Sequence, residues 1–270
     1  MELTSIHSPR VKTARQLSKR AFRLRSRSFL ADGPQAVTEA LARGAVTELF
    51  VTADARARDP RFADEAARQG ADVHVVSGEL MASLSQTITP QGVLAVCRFV
   101  DVPLTEVTAA PPELLVILAS VRDPGNAGTV LRTADAAGAG AVVFSAASVD
   151  PYNSKCVRAT AGSLFHLPVV TGPEVAEVVA AVRAAGVQVL AADGRTGQPL
   201  DEAGPAGALA RPTAWLFGNE AWGLPDELLA LADASVAVPI YGGAESLNLA
   251  AAAAVCLYAS ARAQRAARAT

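Results

Sequence analysis

The sequence predicts an α/β protein in two parts, a C-terminal domain built on a mostly parallel sheet and a smaller α/β module ahead of it. Three observations carry this. From residue 114 onward, apolar strand-like runs alternate with helical stretches, the pattern of a parallel sheet covered on both faces. The apolar mass is mostly Ala, Val and Leu, and aromatics are only 5% of the chain, which suits helices on a sheet better than an aromatic-rich β-sandwich. The 270 residues exceed the usual range of about 100–200 for one domain. With 51% hydrophobic and 19% charged residues, a sizeable core can form and global disorder is excluded.

Taken in order, residues 1–29 form a basic arm, helical from Pro9 to Arg25. Residues 29–31 lead as a strand into Gly33, and 34–43 read as a helix stopped by Gly44. Strand 47–52, helix 60–69, strand 72–76, short helix 79–85 and strand 92–99 complete a module spanning 30–100. Residues 101–112 hold three prolines and little periodicity, and read as a linker. The second domain, 113–270, opens with the continuous apolar run LLVILASV at 114–121, suited to a buried parallel strand. Helix 127–137, strand 140–145, a helix around 153–162, strand 167–170, helix 173–185, strands 187–192 and 213–217, helix 225–232, strand 235–239 and helix 246–265 follow. The stretch 247–259 is strongly apolar but too short to span a bilayer, so no membrane partner is expected.

A net charge of -2 hides an asymmetry. Residues 1–30 carry eight basic groups and one acid, whereas the other 240 carry 16 basic and 25 acidic groups. A basic arm on an acidic body points to a polyanion such as nucleic acid, or simply to a solvated helix face. In the first reading Arg20, Arg23, Arg25 and Arg27 contact phosphates, setting affinity rather than sequence choice. Cys97, Cys156 and Cys256 are too few and too scattered for a disulfide framework or a zinc site, and fit a reduced, cytoplasmic compartment. His7, His74 and His166 have no partners at ligand spacing, so no metal is expected. Neither Gly-x-Gly-x-x-Gly before a helix, nor a Walker A sequence, nor a Gly-x-Ser-x-Gly elbow is present.

Three strand ends carry unusual loops. In VRDPGNAGTVLR, 121–132, Gly125 and Gly128 permit close backbone approach and Asn126 sits where strand passes into helix. Arg132 follows about one and a half turns later, near the helix start, where a guanidinium and helix dipole together suit an anion. A capping Asn126 and a surface Arg132 are the plain alternative. In LFGNEAWGLP, 216–225, Glu220 stands just past a strand end, where open α/β sheets place ligands, or else caps the next helix. In VPIYGGAESLNLA, 238–250, Ser246 and Asn248 stand at the mouth of an almost wholly apolar helix. A cap at Ser246 or Glu245 leaves Asn248 and the glycine pair unexplained.

Together these loops resemble the three ordered motifs of the SpoU/TrmH family, in the SPOUT superfamily of S-adenosylmethionine-dependent RNA methyltransferases. The matching residues are Asn126-x-Gly128-x-x-x-Arg132, then Gly218-Asn219-Glu220-x-x-Gly223-Leu224-Pro225, then Pro239-Ile240 with Ser246-Leu247-Asn248, spread from 126 to 248 in the family's order. Residues 29–45 resemble the start of a substrate-binding domain similar to ribosomal protein L30e, with Asp32-Gly33-Pro34 where Glu-Gly-x is commoner. The resemblance implies a 2′-O-methyltransferase acting on RNA, ribosomal (23S) rather than transfer RNA, working as a homodimer with its site near the subunit interface. It also implies a SPOUT-type sheet closed by a trefoil knot that binds S-adenosylmethionine. By carry-over, the backbone around Leu216, Phe217 and Gly218, with Val238, Ile240 and Leu247, holds S-adenosylmethionine. Asn126, Arg132, Glu220, Ser246 and Asn248 line the reacting centre.

A ribose hydroxyl must lose a proton as it attacks the sulfonium methyl. Arg132 is the residue suspected of activating it in the family, but a guanidinium, with a pKa above about 12, is no base. Either Arg132 orients the hydroxyl and stabilises oxyanion charge while a phosphate or water takes the proton, or Glu220 takes it and Arg132 clamps phosphate. Asn126 and Ser246 would position the ribose, and Asn248 would brace the loops. Three rivals remain: a transfer RNA methyltransferase, a dehydrogenase with a degenerate glycine loop, and a non-catalytic RNA-binding protein. The dehydrogenase leaves 216–225 and 239–248 unexplained. The non-catalytic protein predicts a missing motif residue, and none is missing.

Overall fold

The computed structural model describes Leu3, Ser5 and residues 7–195, 197–204 and 207–269. Along the chain run α1 (Pro9–Gln16), α2 (Arg20–Ser26), β1 (Ser28–Asp32), α3 (Pro34–Ala42), β2 (Val46–Thr52), α4 (Ala53–Arg58), α5 (Arg61–Arg68), β3 (Asp72–Val76), α6 (Gly78–Leu84) and β4 (Val93–Arg98). Next come α7 (Leu104–Ala109), β5 (Leu114–Leu118), α8 (Pro124–Ala137), β6 (Ala141–Phe144), α9 (Ser154–Ala159), β7 (Val169–Thr171), α10 (Val175–Ala184), β8 (Gln188–Ala192), β9 (Gln198–Pro199) and α11 (Leu200–Ala203). The chain closes with β10 (Thr213–Phe217), α12 (Asp226–Leu229), β11 (Ala234–Ala237) and α13 (Leu249–Ala269). The contacts divide it into two compact units, 1–100 with 152–166, and 101–151 with 167–270.

The first unit is a four-stranded mixed sheet in the order β1-β4-β2-β3, antiparallel except for the β2–β3 pair. Val11, Ala14 and Leu17, spaced to share one helix face, pack with Leu30, Phe50, Leu80, Met81 and Leu94. Phe29, Phe99, Tyr152 and Phe165 form an aromatic cluster, in which Phe99 and Tyr152 stack with centroids 3.8 Å apart. The basic segment is therefore part of a core. Its expected single helix breaks between Gln16 and Arg20, and the carbonyls of Leu17 and Ser18 freed there accept from the Arg23 guanidinium at 2.9 and 3.0 Å.

The second unit is a seven-stranded sheet, all parallel, in the order β7-β6-β5-β10-β8-β11-β9. Strand alternation sends Ala214 and Leu216 to the core that contains Val178, Val179 and Val182 of α10. Trp215 is fully buried, and its indole N–H donates to Ser260 of α13 at 2.9 Å. Within the expected linker, α7 turns Val107 into this unit's core.

Neighbouring strands β5 and β10 carry the site. After β5 the chain continues to β6 on one side of the pair, and after β10 it continues to β11 on the other. Their C-terminal ends thus flank a topological switch point, where loops diverge and leave a crevice.

Candidate active site

Past β5, Ala119 N–H still reaches the Phe217 carbonyl of β10 at 2.8 Å, and Ser120 then takes a left-handed conformation with φ 56°. Such a conformation persists in a non-glycine residue only where its surroundings hold it. Here Ser145 Oγ accepts from Ser120 N–H at 3.2 Å, and Ser148 Oγ accepts from Val121 N–H at 3.3 Å. Ser148 Oγ donates to the Leu118 carbonyl at 2.8 Å, and the Asn219 amide donates to the Ser120 carbonyl at 2.8 Å. The turn is pinned from two sides.

Helix α8 starts at Pro124, earlier than its apolar pattern suggests, and its cap is Asp123, whose carboxylate accepts from Asn126 N–H at 2.8 Å. Asn126 is therefore not the cap, and its side chain is available to bridge. Arg132 lies more than two turns into α8 rather than near its start, and is exposed without a hydrogen-bond or ion-pair partner among the described residues.

Past β10, Asn219 and Gly223 exchange N–H···O bonds of 2.9 Å in both directions and close a tight turn with Glu220 at its tip. Gly223 supplies the positive φ of 70°. A Cβ on Gly218 would lie 2.4 Å from the Gly223 carbonyl carbon and oxygen, so only glycine fits. The Glu220 carboxylate accepts from Arg122 N–H at 3.2 Å, Asp123 N–H at 3.0 Å and the Asn126 amide at 3.3 Å. Partial burial disfavours its charge, but these bonds and one from its own backbone N–H prevail, so its pKa lies below the ordinary carboxylate value.

The third loop closes the chain of contacts. Asn248 donates its amide to Asn126 Oδ1 at 3.0 Å, while its own Oδ1 accepts from Ala250 N–H at 2.9 Å. It is the cap of α13, which begins at Leu249 and not at Ser246. One hydrogen-bonded chain, Asn248–Asn126–Glu220, thus ties all three loops together. Ser246 is exposed and makes no hydrogen bond to the other four.

Leu216 and Phe217 are fully buried, so their side chains face the core and only their main chain is left to meet a ligand. Ile240 and Leu247 are 39% and 40% exposed, and Val238 is half-buried. An apolar, uncovered loop leading into polar Asn248 suits S-adenosylmethionine, which carries a flat adenine beside charged and hydroxyl groups. Sequence reasoning missed four contributors. Asn219 stood inside a motif already singled out, and Asp123 before Pro124 was a readable cap signal. Ser145 and Ser148 gave no sequence signal.

In the first unit Arg20, Arg25 and Arg27 are exposed. Arg23 is not available to phosphate, since it is 3% exposed and bonded to the two carbonyls that end α1.

Residues 113–258 match the SpoU rRNA Methylase family, and residues 8–95 match the MRM3-like substrate binding domain. The chain belongs to the SpoU rRNA methylase family. A family relative from Bacillus subtilis, the 23S rRNA (guanosine(2553)-2′-O)-methyltransferase RlmP, is 33% identical over 95% of this chain and 98% of its own. The AdoMet-bound rRNA methyltransferase of Sinorhizobium meliloti superposes with a TM-score of 0.85 at 33% identity, covering 97% of each chain. The chain is also similar to the tRNA (guanosine(18)-2′-O)-methyltransferase of Thermus thermophilus, 34% identical over 56% of this chain and 75% of its own.

Proposed function

We propose that this protein is an S-adenosylmethionine-dependent 2′-O-methyltransferase of ribosomal RNA, acting as a cytoplasmic homodimer with its C-terminal loops knotted. The observation that carries the reading is the Asn248–Asn126–Glu220 chain, which gathers three loops separated by up to 122 residues at the crevice between β5 and β10. The likeness to rRNA enzymes spans nearly the whole chain, N-terminal module included, whereas the tRNA relative matches only 56% of it. That favours ribosomal over transfer RNA.

S-adenosylmethionine, when bound, supplies an electrophilic methyl on a sulfonium. The main chain of Leu216, Phe217 and Gly218 and the side chains of Val238, Ile240 and Leu247 hold it. Of the two ways to move the hydroxyl proton, the hydrogen bonds favour the first. Glu220 accepts several donors and has a depressed pKa, so it is a poor base and serves as the clasp between loops. Arg132, exposed and without a hydrogen-bond or ion-pair partner among the described residues, orients the ribose hydroxyl and stabilises its developing charge, while a substrate phosphate or water takes the proton. Ser246 helps place the ribose.

The test is methyl transfer from labelled S-adenosylmethionine to 23S rRNA and to bulk tRNA, with the modified nucleotide mapped. A 2′-O-methyl on 23S rRNA is the expected result. Transfer to tRNA alone, or a thermal shift with NAD and none with S-adenosylmethionine, would overturn the reading.

A further inference from the structure

The chain has two tryptophans, and their surroundings are opposite. Trp215 of β10 is fully buried, with its indole N–H bonded to Ser260. Trp222, on the turn that follows β10, is 56% exposed. Its indole N–H makes no hydrogen bond, and its ring meets no other ring or cation, among the described residues. Tryptophan gains more from cover than almost any other side chain, so one left open two residues past Glu220 is a place for an occupant.

The turn presents this ring on a fixed backbone. Asn219 and Gly223 exchange their 2.9 Å bonds, Ala221 N–H donates to Asn219 Oδ1 at 2.8 Å, and Glu220 is held by Arg122 N–H and Asp123 N–H. A rigid, flat surface can be covered with little further loss of conformational freedom. Six large apolar residues of the second unit are exposed, and four of them, Trp222, Ile240, Tyr241 and Leu247, stand on the second and third loops. Ile240 and Leu247 belong to the cofactor reading, and the Tyr241 hydroxyl donates to Asp201 at 2.5 Å. That leaves Trp222 as the exposed aromatic without a partner among the described residues of these loops. Its chain neighbours are a carboxylate, Ala221 and Gly223, which give it no apolar surround. A protein partner needs an apolar patch, whereas a base needs one open ring.

We propose that Trp222 stacks on an unstacked base of the RNA at the point of methylation, and so holds the strand at the crevice between β5 and β10. Stacking accepts any base, because each has a π-face, so Trp222 sets affinity and not sequence choice. It moves no proton. The proposal rests on RNA being the substrate. The adenine of S-adenosylmethionine offers the same flat chemistry. The cofactor reading sets it against the main chain ahead of this turn and the third loop, and the test separates the two sources.

With Trp215 sealed in the core, the difference in emission between wild type and W222F reports Trp222 alone. The full-length protein is titrated first with S-adenosylmethionine. With that saturating, it is titrated with a short oligoadenylate, with the same oligomer paired to oligouridylate, and with an abasic ribose-phosphate chain of equal length. Only the unpaired oligoadenylate is expected to quench Trp222. Quenching by S-adenosylmethionine alone, equal quenching by the duplex or the abasic chain, or none by oligoadenylate would each overturn the proposal. So would shielding of Trp222 from acrylamide, without RNA, that grows with protein concentration, since a second copy then covers the ring. In steady-state assays W222A is expected to raise KM for 23S rRNA about tenfold, the scale of one lost stack, and to leave KM for S-adenosylmethionine unchanged, with W222F between W222A and wild type. Both variants should melt near the wild-type temperature. An unchanged KM for RNA in W222A overturns the proposal. An active enzyme whose Trp222 is not quenched refutes this contact alone, and quenching by oligoadenylate without methyl transfer to any RNA refutes the catalytic reading alone.

Discussion

Asn126, Glu220 and Asn248 satisfy one another and the backbone around them, whereas Arg132, Ser246, Ile240 and Leu247 stand in the open. Both sets come from the same three loops. Where polar groups are already paired, their removal costs structure. Where they are unpaired and exposed, they contribute little to stability and are available to a ligand. The division separates residues that build the crevice from residues that work in it, and substitutions on either side of it should differ in kind.

The largest expected effect is Arg132→Ala. With no hydrogen-bond or ion-pair partner among the described residues, its loss should leave the melting temperature within about 2 °C of wild type, since exposed positions change stability by at most about 0.5 kcal/mol. Initial rates of methyl transfer should fall by about 100-fold or more, the scale of losing one oxyanion-stabilising group. Retained activity would move Arg132 out of the working set. Gly218→Ala tests the opposite side. Its Cβ would press on the Gly223 backbone, which has no rotamer to yield, and urea unfolding should show a loss of about 1–3 kcal/mol together with weaker S-adenosylmethionine binding by calorimetry. Asn248 sits on the boundary. Asn248→Ala removes a cap and should cost about 1 kcal/mol. Asn248→Asp keeps the cap acceptor but not the amide donor to Asn126, so stability should largely return while S-adenosylmethionine binding stays impaired. If Asp restores both, the bond to Asn126 carries no function.

Much of this was legible before any coordinates. Glycine, asparagine and serine at three strand ends marked the loops, and the alternation of elements marked a parallel sheet. What local pattern could not show was order in space. Nothing in the run TAWLF at 213–217 says that it pairs between β5 and β8, yet that insertion makes the switch point. Arg23 looked like its basic neighbours, and its burial depends on a helix break whose free carbonyls exist only once α1 and α2 have folded. Asn248 looked surplus because the apolar run suggested an earlier helix start. The hydrogen bond to Ala250 N–H makes it the cap. Tyr152–His166 lies between strands of the second unit in sequence but belongs to the first, where Tyr152 stacks on Phe99, a pairing no periodicity encodes.

The smallest effect is the most discriminating, because it asks whether Glu220 is a clasp or a base. A carboxylate whose folded pKa is depressed stabilises the protein above its ordinary value of about 4.5, and that contribution disappears as pH falls through the lower folded value. Glu220→Gln removes the charge while keeping the shape. At pH 6–8 the variant should be less stable by about 1 kcal/mol or less, since the residue is exposed and its bonds are screened. Urea midpoints of the two proteins should converge as the pH is lowered from 5 toward 3. Catalysis gives the second readout. A base with that pKa is already ionised across the working range, so a clasp predicts the same pH profile of kcat/KM in both proteins, with only the height reduced. If Glu220→Gln instead abolishes an acidic limb of the wild-type profile, the proton passes to Glu220, and the boundary between builders and workers must be redrawn to put it with Arg132.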